Sequence, residues 1–137
     1  MSRNQIIWGG NYFSLPPTRC FLVWRKLTIA ETFTMAMCEY AWTSFNANAK
    51  LFECAPQGNA REKRFHPTQK PVKLYTWCLG LFAKPGDRLL DTHGGSMSSA
   101  VAAWQLGFDM DICEANEFYF QRGRERVEKE MRQPNLF

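Results

Sequence analysis

The chain has 137 residues, of which 45% are hydrophobic and 15% aromatic, with a net charge of +4. That length suits one domain with a real core, and the composition excludes a disordered polypeptide. The charge permits a polyanionic partner without requiring one, and no apolar run reaches bilayer-spanning length. With no signal-peptide pattern either, the expectation is a cytoplasmic protein without a membrane partner.

In chain order, residues 4–8 (NQIIW) read as a buried strand that ends at Gly9-Gly10. A loop over 14–18 is fixed by Pro16-Pro17, and 20–24 (CFLVW) reads as a second strand. A polar connection over 25–34 leads to a third strand at 38–45 (CEYAWTSF), with 50–54 as its hairpin return. Trp8, Tyr12, Trp24, Tyr40 and Trp42 include candidates for a base-stacking platform, although core packing is the expected role for each. The stretch 55–64 is polar and loop-like, and its basic residues Arg61, Lys63 and Arg64 are candidates for phosphate contact.

Residues 66–71 (HPTQKP) introduce a helix, with Pro71 in the first turn and Leu74, Trp77, Cys78, Leu81 and Phe82 as the apolar face. Pro85-Gly86 then turns the chain into the most informative stretch, 88–116. There a short apolar run, Leu89-Leu90, ends in Asp91, followed by the loop Thr92, His93, Gly94, Gly95, Ser96. A helical pattern through Met97, Val101 and Trp104 stops at Gly107. A second apolar run over 110–113 ends in Glu114. The last helix carries Phe120, Val127 and Met131 on one stripe. Its arginines alternate with Glu125, Glu128 and Glu130, as a solvated face does.

Strand, glycine turn, helix, strand, acid is half of a nucleotide-binding α/β unit. Paired glycines at a strand end let a ligand approach the backbone, and the N–H groups opening the next helix suit an anionic group. Glu114 lies about twenty residues beyond the glycines, where an acid that binds ribose hydroxyls is expected. The loop lacks G-x-G-x-x-G, so a pyrophosphate has no third glycine. A nucleoside cofactor with an amino-acid tail fits better, and S-adenosyl-L-methionine is such a molecule; Asp91 would then face its ammonium group. A dehydrogenase is the distant alternative. Five cysteines without a C-x-x-C pair read as buried free thiols, and His66 and His93 lie far apart, so no zinc pattern is present.

The succession HPTQKP, a helix, DTHGGSMSS and CEAN resembles the C-terminal half of the DNA amino-methyltransferases that act on N6 of adenine or N4 of cytosine. The match is to the circularly permuted class, in which the cofactor segment follows the catalytic one. NQIIWGGNYFSLPP and CEYAWTSF resemble segments of its phage-type members, so the likeness covers nearly the whole chain. The resemblance implies an α/β, Rossmann-like methyltransferase fold over residues 1–132 and a bacterial or phage-infected cell, as in restriction–modification. It implies that Asp91, Thr92, Gly94, Gly95 and Ser96 hold the methionine part of S-adenosyl-L-methionine and Glu114 the ribose. Thr68, Gln69 and Lys70 would help close the pocket, and double-stranded DNA would be the substrate. The family favours D-P-F-x-G-S-G-T-T, whereas Thr92-His93 replace Pro-Phe here and Met97 replaces a glycine.

The D/N/S-P-P-Y/F/W element is absent. The amine of a nucleobase is a poor nucleophile because its lone pair is delocalised into the ring. The family's polar side chain and proline carbonyl bond that amine, and the aromatic stacks on the flipped base. Ser14-Leu15-Pro16-Pro17-Thr18 is the nearest string and reads as an ordinary proline loop; the catalytic residues are therefore unknown. The strand bearing this element is central in the family's sheet. The expectation is thus a fold incomplete at its N-terminus, a truncated or split enzyme completed by an N-terminal segment or second subunit. The alternative is a non-catalytic module that binds cofactor or DNA. Residues 133–137 (QPNLF) form a tail resembling peptides that dock on the bacterial replication sliding clamp, through Gln133, Leu136 and Phe137.

Overall fold

The computed structural model describes residues 2–58 and 63–133, and the chain divides into two compact units, Met1–Pro56 and Gln57–Phe137. The first unit holds β1 (Ile6–Trp8), β2 (Phe21–Lys26), β3 (Cys38–Thr43) and β4 (Lys50–Cys54) in one sheet ordered β1-β3-β2-β4. The period of two along β2 buries Leu22, Trp24 and Lys26 on one face, where Ala41 and Thr43 of β3 are buried too. Lys26 sits there because its ammonium meets the Glu39 carboxylate at 2.7 Å and lies 5.2 Å from the Trp24 ring centroid. The Trp24 indole N–H donates to the Cys54 carbonyl at 3.1 Å, fastening β4 to β2.

Two expectations are corrected in this sheet. β1 is an edge strand, half-buried rather than core. β4 is not the hairpin return of β3; it pairs in parallel with β2, from Leu22↔Lys50 to Lys26↔Cys54. β3 already has antiparallel neighbours on both sides, Ile6↔Thr43 to β1 and Phe21↔Trp42 to β2. With no edge left on β3, the chain passes to the outer edge of β2. The proline loop is held to β3 by the Trp42 indole N–H, which donates to the Pro16 carbonyl at 2.7 Å. Of the five aromatics weighed as a stacking platform, Trp24 is core, Trp8, Tyr40 and Trp42 are half-buried, and Tyr12 is 84% exposed.

The second unit runs α1 (Val72–Phe82), β5 (Arg88–Asp91), α2 (Ser98–Leu106), β6 (Asp109–Ile112) and α3 (Glu117–Arg132). β5 and β6 pair in parallel, Arg88↔Asp109 through Asp91↔Ile112, as strands joined by a helix do. Val72 of α1 and Val101 and Ala102 of α2 form a core against which Tyr75, Leu79 and Val127 pack. Of the expected apolar face of α1, Leu74 and Cys78 are buried and Trp77 and Phe82 half-buried, while Leu81 is 38% exposed. α2 stops at Gly107, whose φ of 76° is the left-handed value a helix-ending glycine adopts. α3 starts at Asn116, whose side chain accepts from the Tyr119 N–H at 3.2 Å. The expectation of buried thiols holds for Cys20 and Cys78; Cys54 is half-buried, and Cys38, which opens β3, and Cys113, just past β6, are exposed. Among the described residues no helix is long and apolar enough to cross a membrane.

Candidate functional site

The strand tips of β5 and β6 are laced by backbone bonds: the Cys113 N–H donates to the Asp91 carbonyl at 2.8 Å, and Gly94 N–H to the Cys113 carbonyl at 2.7 Å. This brings both acids to the loop between β5 and α2. Asp91 Oδ1 accepts from the His93 N–H at 3.0 Å and Oδ2 from the Ser99 hydroxyl at 2.5 Å. Glu114 Oε2 accepts from the Gly95 N–H at 2.7 Å and Oε1 from the Asn116 N–H at 2.8 Å. An ionised carboxylate has about four lone-pair sites, so each acid keeps acceptor capacity for a ligand. The Asn116 and Gly95 N–H groups hold the Glu114 carboxyl below its ordinary pKa, against a smaller opposing effect of burial. Glu114 is thus an ionised acceptor at neutral pH.

The glycines are required by what surrounds them. A Cβ on Gly94 would lie 2.9 Å from Ile112 Cγ1, and Gly95 adopts a left-handed φ of 52°. A Cβ on Gly95 would also meet the His66 ring at 3.4 Å. His66 stacks edge-on against Tyr119 with ring centroids 4.3 Å apart. Its pKa is lowered, chiefly by burial, while Glu114 acts in the opposite direction and Lys70 and Arg64 add to the lowering. The Thr68 N–H donates to His66 Nδ1 at 3.3 Å, closing the turn ahead of α1, whose own N-cap is Pro71.

The remaining candidates divide. Thr92 is exposed and its hydroxyl bonds His93 Nδ1 at 2.8 Å. Ser96 is buried, with its hydroxyl on that of Ser98 at 3.1 Å. Gln69 is buried and holds the turn before α1: its Oε1 accepts from the Phe65 N–H at 3.1 Å, and its Nε2 donates to the Lys63 carbonyl at 3.4 Å. Lys70 is half-buried. Lys63 and Arg64 are exposed, and the Arg64 guanidinium donates to the Pro67 carbonyl. Gln133 follows α3, with its N–H on the Glu130 carbonyl at 3.1 Å. Arg61, Leu136 and Phe137 lie outside the described residues.

Three residues escape the sequence reading: Tyr119, Gly123 and Arg126. Arg126 carries the charge pattern of a solvated face, yet it donates to the Ser96 carbonyl at 2.9 Å and to the Ser98 hydroxyl at 2.8 Å. A signal existed in Gly123, since a glycine inside a helix marks a close approach. Among the described residues no group of three or more His, Cys, Asp or Glu is placed to hold a metal ion. An apolar cavity of about 370 Å³ lies between α2, β6 and α3, lined among others by Trp104, Phe108, Met110, Phe120 and Val127. Neither acid lines it; each bonds a different part of the segment between β5 and α2, Asp91 at His93 and Glu114 at Gly95.

A parallel strand–helix–strand unit with a glycine loop and an acid at or just past each strand end is an arrangement that α/β nucleotide-binding folds use. The comparisons agree on which class. A sequence model of the N6/N4 DNA methylase family matches residues 14–125, and the chain belongs to that family. An Escherichia coli protein named as the methylase YubD is 38% identical over 64 residues, covering 47% of this chain and 28% of that one. Among solved structures, M1.HpyAVI in complex with S-adenosylmethionine superposes with a TM-score of 0.61 at 22% identity, over 77% of this chain and 60% of that one. The PvuII cytosine-N4-specific DNA methyltransferase gives 0.62 at 15% identity, over 81% and 54%. A Thermus thermophilus DNA modification methylase, also complexed with S-adenosyl-L-methionine, gives 0.56 at 18%, over 82% and 53%. These likenesses show the α/β methyltransferase fold. The chain spans just over half the length of the solved relatives and 28% of the curated one.

Proposed function

We propose that this chain is the S-adenosyl-L-methionine-binding part of a DNA methyltransferase acting on N6 of adenine or N4 of cytosine in double-stranded DNA. The observation that carries the reading is the pair of strand-tip acids bonded to one glycine loop, in a chain of the DNA methylase family. Asp91 holds the amino-acid ammonium, the backbone of Gly94, Gly95 and Ser96 accommodates the carboxylate end, and Glu114 accepts from the ribose hydroxyls. Thr92, Thr68, Gln69 and Lys70 border the pocket, Gln69 by fixing the turn that carries its neighbours. The bound cofactor supplies a methyl group made electrophilic by its sulfonium; the protein's part is to orient that methyl toward the amine.

The amine-positioning D-P-P-Y element is missing from these residues. The reading is therefore that the catalytic element comes from another segment or subunit, which adds a strand beside β5. In support, β5 pairs only with β6 among the described residues. Arg61, Lys63 and Arg64 contact DNA phosphates, and the tail bearing Gln133, Leu136 and Phe137 docks on the replication sliding clamp. Calorimetric titration with S-adenosylhomocysteine tests the cofactor assignment, and absence of binding overturns it. A methylation assay on duplex DNA tests the second: robust activity of the chain alone removes the need for a complementing element. Deleting 133–137 should abolish capture by the clamp; unchanged capture ends that part.

A second reading, a cofactor-binding module without catalysis, is favoured by the same absence of D-P-P-Y. It differs in one outcome: no D-P-P-Y-bearing strand added in trans restores methylation.

A further inference from the structure

We propose that α3 acts as a brace that sets the conformation of the cofactor loop, with Met97 and Gly123 as a reciprocal pair of positioning residues. The inference rests on the cofactor reading above. Met97 has φ 57° and ψ 29°, and is the one non-glycine residue with positive φ among the described residues. A long side chain in the left-handed region is disfavoured and persists only where its surroundings impose it. Those surroundings are on α3. Met97 is 3% exposed, and Gly123 is buried where a Cβ would lie 2.7 Å from Met97 Cγ and 2.9 Å from its sulfur. The helix thus gives up a side chain so that the loop can insert one.

Arg126, one turn further along α3, fixes the same segment by donating to the Ser96 carbonyl and the Ser98 hydroxyl. Met97 is consequently gripped by its side chain and by the residues on either side. Its position in the loop gives this grip a function. Two residues before it, Gly95 N–H holds the Glu114 carboxylate; two residues after it, the Ser99 hydroxyl holds Asp91. Met97 N–H itself closes the turn on the Gly94 carbonyl at 2.7 Å. A change in the backbone at Met97 therefore moves the partners of both acids together, although neither Met97 nor Gly123 touches either acid in the bonds described.

The test is a double-mutant cycle on the full chain, Met97→Gly, Gly123→Ala and the pair combined, read by urea unfolding and by calorimetry with S-adenosylhomocysteine. An alanine inside a helix ordinarily raises stability over glycine, so the brace reverses the sign expected of Gly123→Ala alone. That variant should bind roughly tenfold more weakly than the parent, and the double variant should return to within about threefold of it. Amide exchange at Gly95, read by NMR, should accelerate in Gly123→Ala and recover in the pair. Unchanged affinity and exchange in Gly123→Ala, or single effects that simply add, overturn the brace. Should Gly123→Ala fail to fold, a folded double variant supports the pairing and an unfolded one overturns it. A parent chain that binds no S-adenosylhomocysteine counts against the cofactor reading, and the brace is then judged on the unfolding and exchange data.

Discussion

Asp91 separates the structural work of the loop from its binding work. Asp91→Ala removes the acceptors of the His93 N–H and the Ser99 hydroxyl. Hydrogen bonds to a charged group contribute about 1.5–3 kcal/mol each, and Asp91 is half-buried, so the low end applies. The two together put Asp91→Ala at a loss of about 3 kcal/mol. Asp91→Asn keeps the oxygen that faces His93, and its amide can donate to the Ser99 oxygen, so its cost should stay under about 1 kcal/mol. Both variants lose the negative charge. If that charge meets the cofactor's ammonium, both should bind S-adenosylhomocysteine on the order of 10–100-fold more weakly, about 1.4–2.8 kcal/mol. Urea unfolding and calorimetry measure the two quantities separately. Near-parental stability with weakened binding in Asp91→Asn is the expected pattern. Parental affinity in Asp91→Asn, or a stability loss equal to that of Asp91→Ala, refutes the reasoning.

Gln69→Ala leaves the Phe65 N–H and the Lys63 carbonyl without their side-chain partner and should destabilise the chain by about 1–3 kcal/mol in urea unfolding. Gly94→Ala drives a methyl group to 2.9 Å from Ile112 Cγ1; spreading the strand tips should weaken S-adenosylhomocysteine binding, and wild-type affinity would contradict the packing. Two groups make stability depend on pH in the same direction. Glu114 titrates below its ordinary 4.5 in the fold, so the unfolded chain binds more protons as the medium is acidified. Its contribution is complete above that value and is lost as pH falls through the lowered one. His66, lowered from 6.5 chiefly by burial, likewise contributes fully above 6.5 and loses that contribution as pH falls through its folded pKa. Unfolding curves should show a decline beginning below neutrality that is absent in His66→Gln and a more acid one absent in Glu114→Gln. Identical pH profiles in parent and variants would remove the assignment.

The second unit is legible in the sequence because its signals are local. Leu89 to Asp91, the glycines, Gly107 and Glu114 each announce their conformation within a few residues of sequence, and the strands and helix follow in that order. What escaped depends on partners distant in sequence. The hairpin expected at 50–54 follows from adjacency, yet whether a strand returns on β3 or passes to β2 is decided by β1 occupying the other edge of β3. On α1, Leu81 shares a helical stripe with Leu74 and Cys78 yet is exposed, whereas the contact with α2 draws in Val72, Tyr75 and Leu79. Arg126 carries the same charge pattern as its solvated neighbours, and only the loop carbonyl it reaches sets it apart. The local pattern accounts for Gly95 as room for a ligand; the His66 ring beside it is a second reason that no local pattern contains.

The central claim is that Asp91 and Glu114 hold the two ends of one adenosyl cofactor through the loop they share. Calorimetric titration of S-adenosylhomocysteine into the parent, Asp91→Asn, Glu114→Gln and the double variant measures it directly. Saturable binding in the parent, weakened by each substitution and nearly abolished by both, is the result expected. Affinity that survives loss of both carboxylates would contradict it.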